Sequence, residues 1–389
     1  MQCAIKEIPV YFPHLHGNEK KYLNECIDSS WISSKGQFIQ QFEERFQTFT
    51  HAPFAVSVCS GTAALHLALL ALDIHPGDEI LVPSLTYVAS VNAIVYVGAV
   101  PIFVDSLPSS WQIDPADVIK KITSNTKAIM AVHLYGHSCD LAALQKIADH
   151  YKLFLIEDCA EAFGTYYQQT HVGNFGIVST FSFFGNKTIT TGEGGMVVVR
   201  DPSLYQKISI LKNQGNDPER SYWHTLVGYN YRMTNLSAAI GLAQLEQANI
   251  ILQKKRNLAL QYTKQLRDLP LQMHQEDPDC IHSHWMISIL LDEAKHRNPL
   301  RDYLSSVGIE TRPFFHPIHR LPMYETIESG KSCTIAENIS SRGVNLPSFP
   351  DLTEAEVIFI CDQITNYFVN HLSFSSDAAG MLEVLQMSI

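Results

Sequence analysis

Three short stretches of the chain hold residues whose types and spacing could do chemistry. The first, Ser60-Gly61-Thr62-Ala63-Ala64, follows an apolar segment and opens a helical pattern. Small residues at a helix N-terminus leave backbone N–H groups free beside a partial positive charge, which suits a phosphate. Taken alone, the same residues also suit an ordinary helix N-cap. The second, Leu155-Ile156-Glu157-Asp158, is an apolar run ending in two carboxylates. At the C-terminal edge of a parallel sheet, where such folds place ligands, strand alternation aims at most one of the two into a pocket. A carboxylate there can hold a proton on a heterocyclic nitrogen; a solvated acid or a helix cap is the plainer use. The third is Phe181-Ser182-Phe183-Phe184-Gly185-Asn186-Lys187, followed by Thr188-Ile189-Thr190-Thr191-Gly192-Glu193-Gly194-Gly195. A lysine between apolar strand residues and a glycine loop is placed for partial desolvation, and desolvation favours the neutral amine that forms a Schiff base. A lysine beside a turn is otherwise an ordinary surface group.

The elements that must position these residues are legible as a rhythm. Between about residues 50 and 200, apolar β-rich segments (Ala55–Val58, Glu79–Val82, Val100–Val104, Ala128–Leu134, Leu153–Glu157) alternate with helical patterns over Thr62–Leu72, Val88–Val97, Pro115–Ile122 and Leu141–Tyr151. Such alternation implies βαβ units and a mainly parallel sheet buried on both faces. Phe175–Phe184 and Gly195–Val199 read as two further strands, and the aromatic group Phe181, Phe183 and Phe184 as core. A helical pattern over Ala238–Leu260 leads into a smaller α+β unit with a strand at Trp285–Leu291 and a helix at Glu354–Phe368. The divisions expected are a large domain with its N-terminal segment over 1–250, a small C-terminal domain over 251–371 and a tail over 372–389.

A phosphate turn, a strand-end acid and a downstream lysine, in that order, are the parts needed to hold pyridoxal 5′-phosphate. With Trp31-Ile32-Ser33-Ser34-Lys35-Gly36, Tyr87-Val88-Ala89-Ser90-Val91-Asn92-Ala93-Ile94, Glu157-Asp158-Cys159-Ala160-Glu161-Ala162-Phe163-Gly164, Gly228-Tyr229-Asn230-Tyr231-Arg232-Met233-Thr234-Asn235 and Arg312-Pro313-Phe314-Phe315-His316-Pro317, the chain from about residue 8 to 368 resembles the DegT/DnrJ/EryC1/StrS sugar aminotransferases. That resemblance implies the α/β fold of PLP fold type I, the aspartate aminotransferase architecture. It implies that Lys187 bonds the cofactor, Asp158 pairs with its ring nitrogen, Tyr87 stacks on the ring, and Gly61, Thr62 and Ser182 bind the phosphate. Asn230 would reach the phosphate of a neighbouring subunit's cofactor, which makes a homodimer, or a higher homo-oligomer with shared active sites, the active unit. Glu161 stands where many relatives have Gln, near the cofactor's phenolic oxygen, and Arg312 and His316 would help shape a nucleotide-sugar pocket. The implied reaction is transamination of a nucleotide-linked 4-keto-6-deoxy sugar by L-glutamate, with a GDP-linked sugar ahead of a dTDP- or UDP-linked one, serving surface polysaccharide synthesis.

Other functions are disfavoured. Related 3-dehydrases carry histidine in place of the Schiff-base lysine, and Lys187 argues against that branch. No GxGxxG follows a strand, and Gly192-Glu193-Gly194-Gly195 precedes a strand instead of a helix, against a nicotinamide oxidoreductase. A non-catalytic regulator would not need both lysine and acid. His133, His137 and Cys139 are close in sequence, but they read as loop contacts and no metal is expected. A net charge of −11 with no long basic run disfavours nucleic acid. Eight scattered cysteines without CxxC pairs, and no apolar run long enough for a bilayer, point to the cytoplasm and away from a membrane.

Overall fold

A computed structural model describes residues 7–372, so the tail expected over 372–389 lies, Leu372 apart, outside the described residues. Two helices come first, α1 (Glu19–Asp28) and α2 (Gln37–Thr50). Phe38, Phe42 and Phe46 recur every four residues along α2, so one face of the helix carries all three rings inward. Phe46 meets Phe181 and Phe183 at ring distances of 5.1 and 5.8 Å, which makes those two strand residues core. Phe184, read with them, is exposed instead, because it follows the strand and turns out into the loop that carries Lys187.

The alternating stretch comprises β1 (Phe54–Val58), α3 (Gly61–Ala71), β2 (Glu79–Pro83), α4 (Val88–Tyr96), β3 (Val100–Val104), α5 (Pro115–Lys121), β4 (Thr126–Val132), α6 (Leu141–Tyr151) and β5 (Phe154–Asp158). A small hairpin, β6 (Tyr166–Tyr167) and β7 (Thr170–His171), precedes β8 (Val178–Ser182), β9 (Gly195–Val199) and α7 (Pro202–Leu211). Side chains of Ser60, Asp114, Asp140 and Asp201 cap α3, α5, α6 and α7, and Pro115 and Pro202 stand in the first turns, where a missing N–H costs nothing. The strands form one sheet in the order β1-β9-β8-β5-β4-β2-β3. The pairs β2–β3, β2–β4, β4–β5 and β5–β8 are parallel. β9 runs antiparallel to both β8 and β1; the loop that joins β8 to β9 contains no crossover helix. The strand expected over Phe175–Phe184 begins only at Val178: the Glu157 carboxylate takes the N–H groups of Phe175 and Gly176 at 2.8 and 2.6 Å and draws them out of the ladder.

α8 (Asn235–Leu266) leads into a second unit made of β10 (Leu271–Met273), β12 (Ile287–Leu291), α9 (Arg297–Ser306), β13 (Arg312–Pro313), α10 (Thr334–Arg342), β14 (Gly343–Leu346) and α11 (Glu354–Leu372), while β11 (Cys280–Ile281), between β10 and β12, returns to pair with β6. The pattern seen from Ala238 begins three residues earlier because Thr234 caps the helix. Its buried side chains serve the large sheet's core as far as Leu252 and the second core from Leu258 onward, so one unbroken helix spans the division drawn at residue 250. Strands β10-β12-β14-β13 form the second sheet.

The N-terminal segment, grouped above with the large domain, packs at its start on the second unit. Ile8 exchanges backbone hydrogen bonds with Gly308 and Glu310 at 2.8 and 3.0 Å and its side chain joins the second core. Three residues on, the Tyr11 hydroxyl donates to the backbone carbonyl of Lys187 at 2.6 Å, so this strap ties the second unit to the loop that carries the lysine.

Candidate active site

A cavity of about 490 Å³ opens where β5 and β8 end, α3 begins and the second unit closes over them. Its size is that of a small-molecule site. At one end lies the turn before α3. Ser60 is extended, its Oγ accepts the Ala63 N–H at 3.1 Å and its carbonyl accepts that of Ala64, which leaves the N–H groups of Gly61 and Thr62 for a ligand. The turn is pressed against the neighbouring strands: a Cβ on Gly61 would stand 2.7 Å from the Ser182 Cβ, and one on Gly195 would stand 2.5 Å from the Ser60 carbonyl oxygen. Ser182 also lines the cavity, so Gly61, Thr62 and Ser182 meet at one spot as expected for a phosphate cradle.

The two carboxylates of β5 part company, as alternation requires. Glu157 is fully buried behind the sheet, where it accepts the N–H groups of Gly173, Phe175 and Gly176 and faces His133 Nε2 at 3.1 Å. Burial pushes its pKa up, but the hydrogen bond from His133 and those N–H groups outweigh burial and hold it below the ordinary value. His133 Nδ1 in turn accepts the Cys139 N–H, and His137 Nδ1 meets the Ser138 carbonyl at 2.7 Å, so these groups serve the loop after β4. Asp158 faces the cavity. Its Oδ2 accepts from Ser90 Oγ at 2.7 Å and its Oδ1 from the Ala160 N–H at 3.1 Å. Burial still raises its pKa, over the opposing pull of those bonds and of the Lys187 charge. A buried carboxylate in that condition is short of positive charge and fits a protonated ring nitrogen.

Lys187 follows β8 in a turn closed by its own N–H to the Phe184 carbonyl at 2.9 Å. Its side chain is 13% exposed; Nζ lies 3.7 Å from Glu161 Oε1 and 4.1 Å from the centroid of the Trp285 ring. Burial lowers the lysine pKa while the Glu161 and Asp158 carboxylates oppose the fall. Glu161 Oε2 accepts the Tyr135 N–H at 2.9 Å, and burial pushes its pKa up to about 7 against the Lys187 charge.

Tyr87, the residue before α4, lines the cavity half-exposed, with its ring 5.6 Å from that of Phe315. Arg312 lines the opposite wall and lies 3.5 Å from Glu310. His316 does not line this cavity and is exposed on the loop beyond it, because the chain leaves β13 with Phe314 turned into the core and Phe315 into the site. Asn230 lies outside the cavity of its own chain, exposed, with its Oδ1 accepting from Arg232.

Several lining residues lacked a sequence signal. Trp285, Phe315 and Asn345 come from the second unit, and only Phe315 stands in a motif singled out above. Ser90 and Asn186 lie within recognised stretches but carried no assigned role. Asn186 Oδ1 is buried in the cavity wall without a hydrogen-bond partner among the described residues. That orphaned acceptor, the cradle a Cβ would fill and the uncompensated Asp158 together fit pyridoxal phosphate.

Residues 13–365 match the model of the DegT/DnrJ/EryC1/StrS aminotransferase family. GDP-perosamine synthase of Escherichia coli O157:H7 is 55% identical over 364 residues, covering 94% of this chain and 99% of that protein. GDP-perosamine synthase of Vibrio cholerae is 52% identical over 363 residues, covering 93% and 99%. The PLP form of Spr1654 from Streptococcus pneumoniae matches with a TM-score of 0.89 at 25% identity, over 92% of this chain and 98% of that one.

Proposed function

The chain belongs to the DegT/DnrJ/EryC1/StrS aminotransferase family and is a pyridoxal-phosphate-dependent sugar aminotransferase, and from that premise we propose that it transfers the amino group of L-glutamate to C4 of GDP-4-keto-6-deoxy-D-mannose, yielding GDP-perosamine and 2-oxoglutarate. The observation that carries the chemistry is one amine, Lys187 Nζ, largely buried in the same cavity as the Asp158 carboxylate and an N–H cradle at α3. The choice of sugar nucleotide rests on the two GDP-perosamine synthases.

When bound, the cofactor supplies a carbonyl that exchanges amines and an electron sink for the bond broken at the donor's Cα. The N–H groups of Gly61 and Thr62 with the Ser182 hydroxyl bind its phosphate, and Tyr87 covers the ring. Asp158, kept in place by Ser90 and the Ala160 N–H, holds the proton on the ring nitrogen. Lys187 Nζ takes the proton from the donor's Cα and delivers it within the site, then runs the same movement in reverse at the sugar C4. Arg312 and Phe315, on the wall supplied by the second unit, position the nucleotide sugar. The active unit is a homodimer in which Asn230 of the partner subunit completes the phosphate site. The enzyme acts in the cytoplasm and its product feeds O-antigen or related surface polysaccharide.

An absorption spectrum tests the reading. Purified protein is expected to be yellow, to bleach with L-glutamate, and to regain its colour when GDP-4-keto-6-deoxy-D-mannose is added to the bleached form. Recovery with a dTDP- or UDP-linked keto sugar instead would overturn the nucleotide assignment, and protein that never takes up the cofactor would overturn the whole.

A further inference from the structure

The strap that carries Tyr11 runs on through Pro13-His14-Leu15-His16-Gly17 before α1 begins. Two anchors fix its backbone there. The His14 carbonyl accepts from Gln244 Nε2 of α8 at 2.6 Å, and the Gly17 N–H donates to Glu19 Oε2 at 2.8 Å. Between those anchors the two imidazole rings come together, with centroids 4.6 Å apart. Both face one carboxylate, Asp351, in the loop between β14 and α11. His14 Nδ1 sits against Oδ1 and Oδ2 at 2.8 and 2.7 Å, His16 Nε2 lies 3.2 Å from Oδ2, and Lys254 Nζ holds Oδ1 at 2.6 Å. One donor atom from each of His14, His16 and Asp351 lies within 4.8 Å of the other two. His14 is buried and His16 is 69% exposed, so solvent reaches the cluster from one side.

The ion pair with Lys254 accounts for one carboxylate oxygen, but it does not call for two imidazole nitrogens at the other. No backbone group of the described residues bonds either ring, so either nitrogen can present its lone pair beside Oδ2. A second convergence among the described residues, His133 with Glu157 and Cys159, differs on that point. His133 Nδ1 accepts the Cys139 N–H, so its Nε2 carries the proton, and Glu157 already accepts three backbone N–H groups.

We propose that His14 Nδ1, His16 Nε2 and Asp351 Oδ2 form a binding site for a divalent transition metal, zinc in the first place. Two imidazoles and one carboxylate are donors that zinc takes at about 2.0–2.2 Å, and water from the open side completes a tetrahedron. Ligands at such bond lengths stand roughly 3.4 Å apart. The separations of 2.7 and 3.2 Å therefore open by less than about 1 Å to admit the ion, which small side-chain rotations supply. Lys254 on Oδ1 is the outer partner that orients the carboxylate, and Gln244 anchors His14 through its carbonyl. The site joins the strap to the loop before α11, so the bound cation clips down the same segment that holds the Lys187 carbonyl through Tyr11. It lies outside the cofactor cavity and does not depend on the reaction assigned above.

Metal uptake tests the site. Full-length holoenzyme without an affinity tag is dialysed against chelator-buffered zinc, and bound metal is counted by mass spectrometry. Wild type is expected to fill a site that His16→Ala and Asp351→Asn either lack or fill only at a free zinc concentration at least about tenfold higher. His150→Ala removes an exposed histidine elsewhere and is expected to match wild type. No uptake by wild type, equal uptake by either ligand variant, or an equal loss in His150→Ala would overturn the proposal. Carbethoxylation of histidine reads the ligands in wild type itself, where no variant has to fold. Zinc at about ten times its Kd is expected to slow modification of the peptide holding His14 and His16 about tenfold and to leave His150 unprotected. Equal rates with and without zinc overturn the site.

Discussion

Substituting Gly61 by alanine isolates the phosphate cradle from the rest of the chemistry. The new Cβ would stand 2.7 Å from the Ser182 Cβ, 3.1 Å from its Oγ and 3.3 Å from its Cα. Carbon atoms in contact sit about 3.5–4.0 Å apart, so α3 and β8 must separate by roughly 1 Å at this point. The Ser182 Cβ is fixed to the backbone, so no rotation relieves the clash. A shift of that size carries the N–H groups of Gly61 and Thr62 from about 2.9 Å of a phosphate oxygen to beyond hydrogen-bond range. Two bonds to a charged group at about 1.5–3 kcal/mol each correspond to about 3–6 kcal/mol, or cofactor affinity weaker by at least about a hundredfold. Titration of stripped protein with cofactor, followed by absorbance, measures this directly, with circular dichroism to check that the fold survives. Gly185→Ala is the control, since a Cβ there meets nothing within 4 Å and affinity is expected to be unchanged. Affinity of Gly61→Ala within about threefold of wild type, with the fold intact, would refute the reasoning that the α3 turn is the anion site.

Lys187→Ala is expected to lose at least about a thousandfold in turnover because it removes both the anchor and the base, and Asp158→Asn to lose most of it; steady-state rates decide, and near-normal activity in either defeats its assignment. Tyr11→Phe removes the hydroxyl that holds the Lys187 carbonyl at 2.6 Å and is expected to cost about 1 kcal/mol, or about fivefold in kcat/KM. Stability is expected to fall in mild acid. Burial is the largest cause that lowers the pKa of His171 from 6.5 to about 4 and of His284 to about 3, and it depresses His274 and His282 as well. The unfolded chain therefore binds protons from about pH 6.5 downward that the folded chain refuses, so stability present above that pH is lost as pH drops toward 4, at up to about 1.4 kcal/mol per pH unit for each histidine. Thermal midpoints measured between pH 7 and pH 5 check this, and a flat profile contradicts it. Mixing Lys187→Ala and Asn230→Ala subunits is expected to restore about a quarter of wild-type activity, since half the dimers then contain one intact site; no recovery would exclude a shared site.

How far the site was legible in the sequence depends on which unit supplies each residue. Gly61, Asp158 and Ser182 each lie at the end of a strand or the start of a helix in the alternating region, where period and turn chemistry fix the direction of a side chain, and Lys187 sits in the glycine-bearing loop that follows β8. Even the separation of Glu157 from Asp158 follows from strand alternation. Trp285, Phe315 and Asn345 reach the same cavity over long sequence separations, by the docking of the second unit, and no local pattern encodes that docking. The strap is a similar case: Ile8 pairs beside Ile309 while Tyr11 reaches Lys187, and nothing in the first dozen residues distinguishes them from a loose end. His316 failed for the converse reason, since a loop histidine beside prolines has no period to orient it.

These differences bear on how the enzyme divides its labour. On the proposed reading, the sheet edge would present an anion cradle, an acid for the ring and the amine, all held by backbone geometry that a single unit fixes. Trp285, bound through Nε1 to the Asn186 carbonyl, and Tyr11, bound to that of Lys187, come from the second unit and from the strap packed on it. Both clamp the two-residue stretch Asn186-Lys187 from its main-chain side. The Lys187 amine is therefore mounted on one unit and held in register by the other, so docking of the second unit bears on the lysine's position as well as on the wall it supplies to the cavity. Tyr11→Phe separates these roles: it alters no side chain that lines the cavity and loosens only the hold on the Lys187 carbonyl, so a fall in kcat with unchanged KM for the sugar nucleotide is the outcome that docking through the strap requires, and a change confined to KM would argue against it.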